Sequence, residues 1–179
     1  MTKKILLISL LLISCSQEEQ LSTKKYFDLK GFSESIIRAL ERQKPEVSKT
    51  WQIGKQKEIK TTNDIDWAKE LSLFTEADLN KSAFVNSYEM SENQYAINYK
   101  LKKSETLPVK TMTIETMAGE DSKQISVKTT TSNYLFKNMS EIKLKTKNGK
   151  LQEYSVYSIQ KLFMSKADTS YINGQIINL

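Results

Sequence analysis

Apolar residues recur at helical spacing in two stretches of the first half of the chain. Between Asp28 and Lys44 they repeat every three or four residues and share one helix face, which holds Leu29, Phe32, Ile36, Ile37 and Leu40. Pro45 disfavours a helical conformation in the residue before it, so this helix is predicted to end at Lys44. A second helix is predicted after a cap at Asn63 or Asp64. Its apolar stripe holds Trp67, Leu71, Phe74 and Ala77.

The other apolar positions predict β-strands. Val47, Trp51 and Ile53 alternate with polar residues, and Gly54 provides a turn before the polar stretch 55–62, which predicts a hairpin between the two helices. From Ala83 to the C-terminus the apolar period changes from about 3.6 residues to about two. Tyr, Thr, Val, Ile and Phe become frequent there, so this half is predicted to be sheet.

Short polar turns separate the predicted strands, at 91–93 and 119–121 among others. Asn148 and Gly149 form the sharpest turn signal, because both residues tolerate the positive φ that a type I′ hairpin turn requires. Asn173 and Gly174 predict a bulge or a further turn. Parallel neighbours would need crossovers of about a dozen residues or more, so short turns favour antiparallel pairing.

These elements predict an α+β fold in one domain over 26–179. Two N-terminal helices pack on a curved, mostly antiparallel sheet of about seven to nine strands. Barrel-like closure of the sheet is an alternative that the spacing leaves open. The length of 179 residues suits a single domain of this kind.

Composition excludes several classes of site. The chain has no His and one Cys, so it cannot form a Ser-His-Asp triad, a His-ligated zinc site or an internal disulfide. Glycine-rich phosphate loops are absent as well. We therefore expect no cofactor and no metal, and only a carboxylate-based enzyme would remain, which is the least favoured class.

The N-terminus has the parts of a secretory signal over 1–14. Lys3 and Lys4 precede an apolar run from Ile5 to Ile13, which is too short to span a bilayer, since that takes about 20 residues. Cys15 follows directly, and the sequence at 12–15 resembles the lipobox of bacterial lipoproteins, which implies that Cys15 is acylated and becomes the mature N-terminus. Residues 15–25 are then predicted to be a lipidated, flexible tether. An ordinary signal with an incidental Cys is the alternative.

The polar, acidic stretch 16–20 after Cys15 resembles the export signal of surface lipoproteins in Bacteroidota-type Gram-negative bacteria. A solvated tether explains the same residues equally well. Together with the absence of Asp after Cys15, the resemblance implies a lipid-anchored protein of the outer membrane, exposed at the cell surface or facing the periplasm.

Two charged clusters are candidate sites. Asp64, Asp66, Glu70, Glu76 and Asp78 surround the second predicted helix. Paired carboxylates serve in glycoside hydrolysis or calcium binding, but acids at a helix start are expected as caps. Lys143, Lys145 and Lys147 share one face of a predicted strand, with Lys150 beyond its turn. Such a row could meet anionic headgroups, yet an edge or solvent-facing strand is the simpler interpretation.

The sequence thus predicts a membrane-tethered, non-enzymatic lipoprotein of the bacterial cell envelope that acts as a binding or accessory module. Its expected partners are the membrane, through the acyl anchor on Cys15, and an unidentified protein, glycan or lipid ligand. Nucleic acid is not an expected partner, because no aromatic residues interleave with the lysine row and Arg is scarce. A lipid or lipoprotein carrier with an apolar cavity between sheet and helices is the alternative.

Overall fold

Strands dominate the computed structural model, which describes residues 24–116 and 121–178. The strands are β1 Glu46–Ile53, β2 Gln56–Thr62, β3 Tyr88–Glu92, β4 Ala96–Leu101, β5 Val109–Thr116, β6 Lys123–Ser132, β7 Phe136–Lys147, β8 Lys150–Leu162 and β9 Asp168–Asn178. The helices are α1 Leu29–Gln43, α2 Trp67–Glu70 and α3 Ser72–Glu76, followed by a 3-10 turn at Ser82–Phe84.

The nine described strands form one antiparallel sheet in the order β2-β1-β9-β8-β7-β6-β5-β4-β3. Strands β3 to β9 follow one another as a meander, and the early hairpin β1–β2 joins it because β1 pairs with β9. The predicted antiparallel sheet is confirmed. Barrel-like closure is not found, since β2 and β3 do not pair with each other and form the two edges of the described sheet.

Helix α1 begins and ends where the sequence predicts. The Asp28 side chain caps it by accepting a hydrogen bond from the Gly31 N–H at 2.9 Å. Burial would raise the pKa of Asp28, but hydrogen bonds from Lys24 and from the Gly31 N–H hold it below its usual value. Lys44 ends the helix with φ of 45°, and its N–H donates to the Leu40 carbonyl at 2.8 Å.

The second predicted helix is not continuous. It breaks at Leu71, whose φ and ψ of −100° and 12° are not helical, so the described part of the chain holds three helices instead of two. Its cap is Asp66, which accepts from the Lys69 N–H at 3.0 Å, and not Asn63 or Asp64. Segments this short are marginal as helices on their own, so tertiary contacts decide their shape.

Strand β3 begins at Tyr88, five residues later than the change of period at Ala83 suggests. The intervening chain turns twice instead of extending, since the Phe84 N–H donates to the Lys81 carbonyl and the Ser87 N–H to the Phe84 carbonyl. The type I′ turn between β7 and β8 is confirmed, with φ of 50° at Asn148 and 72° at Gly149. Most of the predicted turn at 119–121 lies outside the described residues.

Asn173 and Gly174 form neither a turn nor a bulge, because both lie in the continuous ladder of β9. Position 174 requires a glycine because the Tyr154 side chain of the neighbouring strand β8 lies against it. A Cβ atom at position 174 would lie 2.2 Å from the ring of Tyr154, which is buried. The absence of a side chain at Gly174 therefore makes room for the aromatic ring.

One hydrophobic core lies between the helices and a single face of the sheet. From the helices it takes Leu29, Ile36, Leu40, Trp67 and Phe74, and from the sheet Met112, Ile125, Val127, Ile142 and Leu144. At the β3–β4 side, Tyr26 packs edge-on against the rings of Tyr88 and Tyr99. The alternate residues of the central strands face solvent, as expected for an antiparallel sheet covered on one face.

Replacing Gly174 by Ala should destabilise the protein by about 1–3 kcal/mol, because the new methyl group overlaps the Tyr154 ring. Without that contact, Ala would be more stable than Gly in a strand by about 0.5–1 kcal/mol. Urea unfolding of G174A therefore shows whether the substitution lowers or raises the free energy of unfolding. In a Tyr154→Leu background the same Gly174→Ala change should cost little, because the ring that it overlaps is gone. A stabilised G174A single variant would show that the close approach does not exist.

Candidate functional site

A cross-strand row on the helix-covered face changes from charged to apolar along the sheet. In strand order from β2 to β4 the row is Lys60, Lys49, Gly174, Tyr154, Leu144, Ile125, Ile114 and Ile97. Because Gly174 has no side chain, nothing on β9 separates the aromatic ring of Tyr154 from Lys49 on β1. Lys49 and Tyr154 can therefore share a partner.

Glu70, the last residue of α2, is that partner. One carboxylate oxygen lies 2.6 Å from the Lys49 Nζ, and the other accepts a hydrogen bond from the Tyr154 hydroxyl at 2.7 Å. The exposed side-chain fractions are 23% for Lys49 and 15% for Glu70, so the ion pair is largely shielded from water. The ring of Trp67 packs edge-on against the ring of Tyr154, with 6.1 Å between the ring centroids.

Burial raises the pKa of the Tyr154 hydroxyl well above its usual value, and its hydrogen bond to the Glu70 carboxylate raises it further. The phenol therefore stays protonated at neutral pH and acts as a donor. Burial also raises the pKa of Tyr88, to about 12. The two tyrosines lie at different places in the core, and only Tyr154 is bonded to an ionised side chain.

An open groove of about 540 Å³ lies beside the Lys49–Glu70 pair, between α2–α3 and the strands β1, β2 and β9. Its apolar wall includes Trp51, Ile172 and Leu73, and Trp51 is half-buried. Lys60 is exposed at the groove and forms no ion pair with any described residue. An aromatic ring and an unpaired cation thus border the same opening.

The structure divides the acidic cluster into two groups. Asp64, Asp66 and Glu70 border the groove, whereas Glu76 and Asp78 line another depression with Lys30, Arg38 and Lys81. Asp66 caps α2, as expected for an acid at a helix start. Glu70 is not a solvated or capping residue, because it joins α2 to the sheet. Among the described residues, no three acidic or Cys side chains are grouped as metal ligands.

The lysine row lies on a strand in the middle of the sheet. Lys143, Lys145 and Lys147 belong to β7, which pairs with β6 and β8, so the edge-strand interpretation is wrong. All three are exposed, which agrees with the solvent-facing alternative, and Lys143 lies 3.4 Å from Glu141. The sequence pattern shows which face a side chain takes but not the position of its strand in the sheet.

The eight tyrosines divide evenly between core and surface. Tyr26, Tyr88, Tyr99 and Tyr154 are buried, and Tyr95, Tyr134, Tyr157 and Tyr171 are exposed. Tyr157 and Tyr171 are paired across β8 and β9 on the solvent-facing side of the sheet. Cys15, the predicted lipidation site, lies outside the described residues, as do residues 1–14 and most of the predicted tether.

No helix in 24–116 or 121–178 has the length and apolar character needed to cross a bilayer. Comparisons with protein-family models, with curated proteins and with solved structures found no match for the chain. The groove and the Lys49–Glu70–Tyr154 cluster are therefore interpreted from their own chemistry.

Replacing Tyr154 by Phe should lower the free energy of unfolding at pH 7 by about 1–3 kcal/mol, because the hydrogen bond to a charged acceptor is lost. The raised pKa of Tyr154 adds a pH dependence. The stability that the protonated Tyr154 hydroxyl contributes is complete below the unfolded-state pKa of about 10 and is lost as pH rises above it. Denaturant unfolding between about pH 8 and 11 should show a steeper decline in the wild-type protein than in Y154F. Parallel declines in both proteins would contradict this assignment.

Proposed function

We propose that the protein is a membrane-tethered, non-enzymatic binding module of the bacterial cell envelope. Acyl chains on Cys15 hold it on the outer membrane, either at the cell surface or facing the periplasm. The support for the anchor is the lipobox-like sequence at 12–15, which follows a charged and apolar signal and contains the chain's single Cys. Several acyl chains give stable anchoring where one is marginal, so no membrane-spanning helix is needed.

The groove beside Lys49 is the proposed ligand site, and the observation that carries this assignment is the presence of both Trp51 and Lys60 at the same opening. Trp51 offers an aromatic ring, and Lys60 offers a cation that forms no ion pair with a described residue. A ligand that combines a planar or apolar part with an anionic group satisfies both. The shielded Lys49–Glu70 ion pair beside them joins β1 to α2, which are two of the elements that border the groove.

Binding is favoured over catalysis because two of the three carboxylates at the groove already have partners, and only Asp64 has no bonded partner for its side chain among the described residues. Glu70 bonds Lys49 and Tyr154, and Asp66 caps α2. A carboxylate-based enzyme instead requires one acid that is free to donate a proton and a second that acts as base or nucleophile. The carrier alternative has less support, since buried apolar side chains fill the space between the helices and the central strands.

Replacing Cys15 by Ser should abolish incorporation of a tagged fatty acid into the protein in growing cells, because the acylated thiol is gone. The Ser14→Ala variant is the matched control, since it keeps a small residue before Cys15 and should stay labelled and in the membrane fraction. Equal acyl labelling of C15S and the wild-type protein would overturn the anchor.

Anilinonaphthalene sulfonate, which combines aromatic rings with an anionic group, is a suitable probe of the groove. Replacing Lys60 by Gln should weaken its binding about two- to fivefold, as expected for loss of one exposed ion pair. Trp51→Ala should weaken it further, and the fluorescence titration follows both changes. Lys150→Gln, which removes an exposed lysine far from the groove, should have no effect. Unchanged binding in K60Q and W51A would exclude the groove as the site.

A further inference from the structure

Two neighbouring connections expose large apolar side chains at one end of the sheet. This end, called here the loop end, carries the β1–β2, β4–β5, β6–β7 and β8–β9 connections. Its apolar tip consists of Tyr134, Leu135, Leu162, Phe163 and Met164. The exposed fractions are 85% for Tyr134, 71% for Phe163 and 90% for Met164. Connections between strands normally carry polar residues, and clustered exposed apolar side chains mark contact surfaces.

Three hydrogen bonds donated by backbone N–H groups hold the connections that carry the apolar tip. The Asn133 side-chain oxygen accepts from the N–H groups of Leu135 at 2.8 Å and Phe136 at 2.9 Å. The Phe163 N–H donates to the Leu135 carbonyl at 2.7 Å, which links the two connections. The apolar side chains are therefore presented together on one fixed support.

The described chain begins at the same end of the sheet. Lys25 contacts the Asn86 side chain at 2.9 Å, and the Tyr26 hydroxyl donates to the Val85 carbonyl at 2.7 Å. Both partners directly precede β3, whose first residue, Tyr88, pairs with Leu101 before the β4–β5 connection. Cys15 and Lys24 are nine positions apart in the sequence, which spans at most about 32 Å when fully extended. Strand β7 alone, with 12 residues, is about 40 Å long, so an anchor at Cys15 favours the loop end as the membrane-facing end.

Charge at the loop end fits a membrane with anionic lipids. Exposed lysines in or beside its connections are Lys55, Lys103, Lys137, Lys161 and Lys166. The exposed acids in the same connections and near strand ends at this end of the sheet are Glu105, Asp168 and Glu89, so lysines outnumber acids there. Basic residues around an apolar protrusion are attracted to anionic headgroups, while the apolar side chains enter the boundary with the acyl chains.

We infer that the apolar tip is a membrane-contact site that inserts into the surface of the bilayer to which Cys15 is anchored. This inference rests on the lipid anchor proposed above and adds an orientation to it. With the tip at the lipid surface, the strands point away from the membrane, and the β3–β4 and β7–β8 turns lie farthest from it.

The test uses the full lipidated protein in vesicles of phosphatidylethanolamine and phosphatidylglycerol. Met164→Cys and Tyr134→Cys place an environment-sensitive fluorophore on either connection of the apolar tip, and Cys15 is blocked by its acyl group. Tyr95→Cys is the matched control, since Tyr95 is an exposed aromatic residue in the β3–β4 turn at the opposite end. Quenching by brominated lipids is measured for each labelled protein.

The labels at 164 and 134 should be quenched at least about twofold more than the label at 95, because only they reach the headgroup–acyl boundary. Equal, weak quenching of all three labels in anchored protein would overturn the apolar tip as a lipid contact and leave the anchor intact. Shielding of the tip labels without lipid quenching would also overturn it, in favour of a protein partner. A wild-type protein that does not associate with vesicles would contradict both the anchor and the tip.

Discussion

The position of the Tyr154 side chain is the constraint on which the rest of the structure depends. Its ring lies over Gly174, and its hydroxyl bonds Glu70, whose carboxylate also pairs with Lys49. One buried cluster thereby joins α2 to β8, β9 and β1. Removing one member of a shielded ion pair leaves the other charge without a partner, so the arrangement is costly to break. Helix α2 is held to the sheet at this point, beside the β1–β9 ladder that joins the early hairpin to the meander.

The Lys49–Glu70–Tyr154 cluster lies between a filled part and an open part of the helix-covered face. On its β3–β7 side the helix-covered face is filled by apolar side chains. On its β1–β2 side the same face opens into the groove that holds Trp51 and Lys60. The apolar tip lies at the same end of the sheet as the start of the described chain. The proposed ligand site and the proposed membrane contact therefore lie on different surfaces of the molecule.

Local signals were sufficient for the elements that the sequence predicted well. The start of α1 after Asp28, its end at Lys44 and the Asn148-Gly149 turn each depend on residues within a few positions of one another. The roles of Glu70 and Gly174 could not be predicted from local sequence, because both depend on Tyr154. Tyr154 lies 84 residues from Glu70 along the chain. The lysine row lies in the middle of the sheet because of the strand order, which the sequence pattern does not give.

Native-state hydrogen exchange in the Lys49→Met variant tests most directly whether the cluster fixes the helices to the sheet. Loss of the lysine leaves Glu70 without its cation, so the backbone amides in α2 and α3 should exchange faster than in the wild-type protein. The amides of β5, β6 and β7, which lie beyond the cluster, should keep their protection relative to the wild-type protein. Unchanged exchange in α2 and α3 would contradict the account.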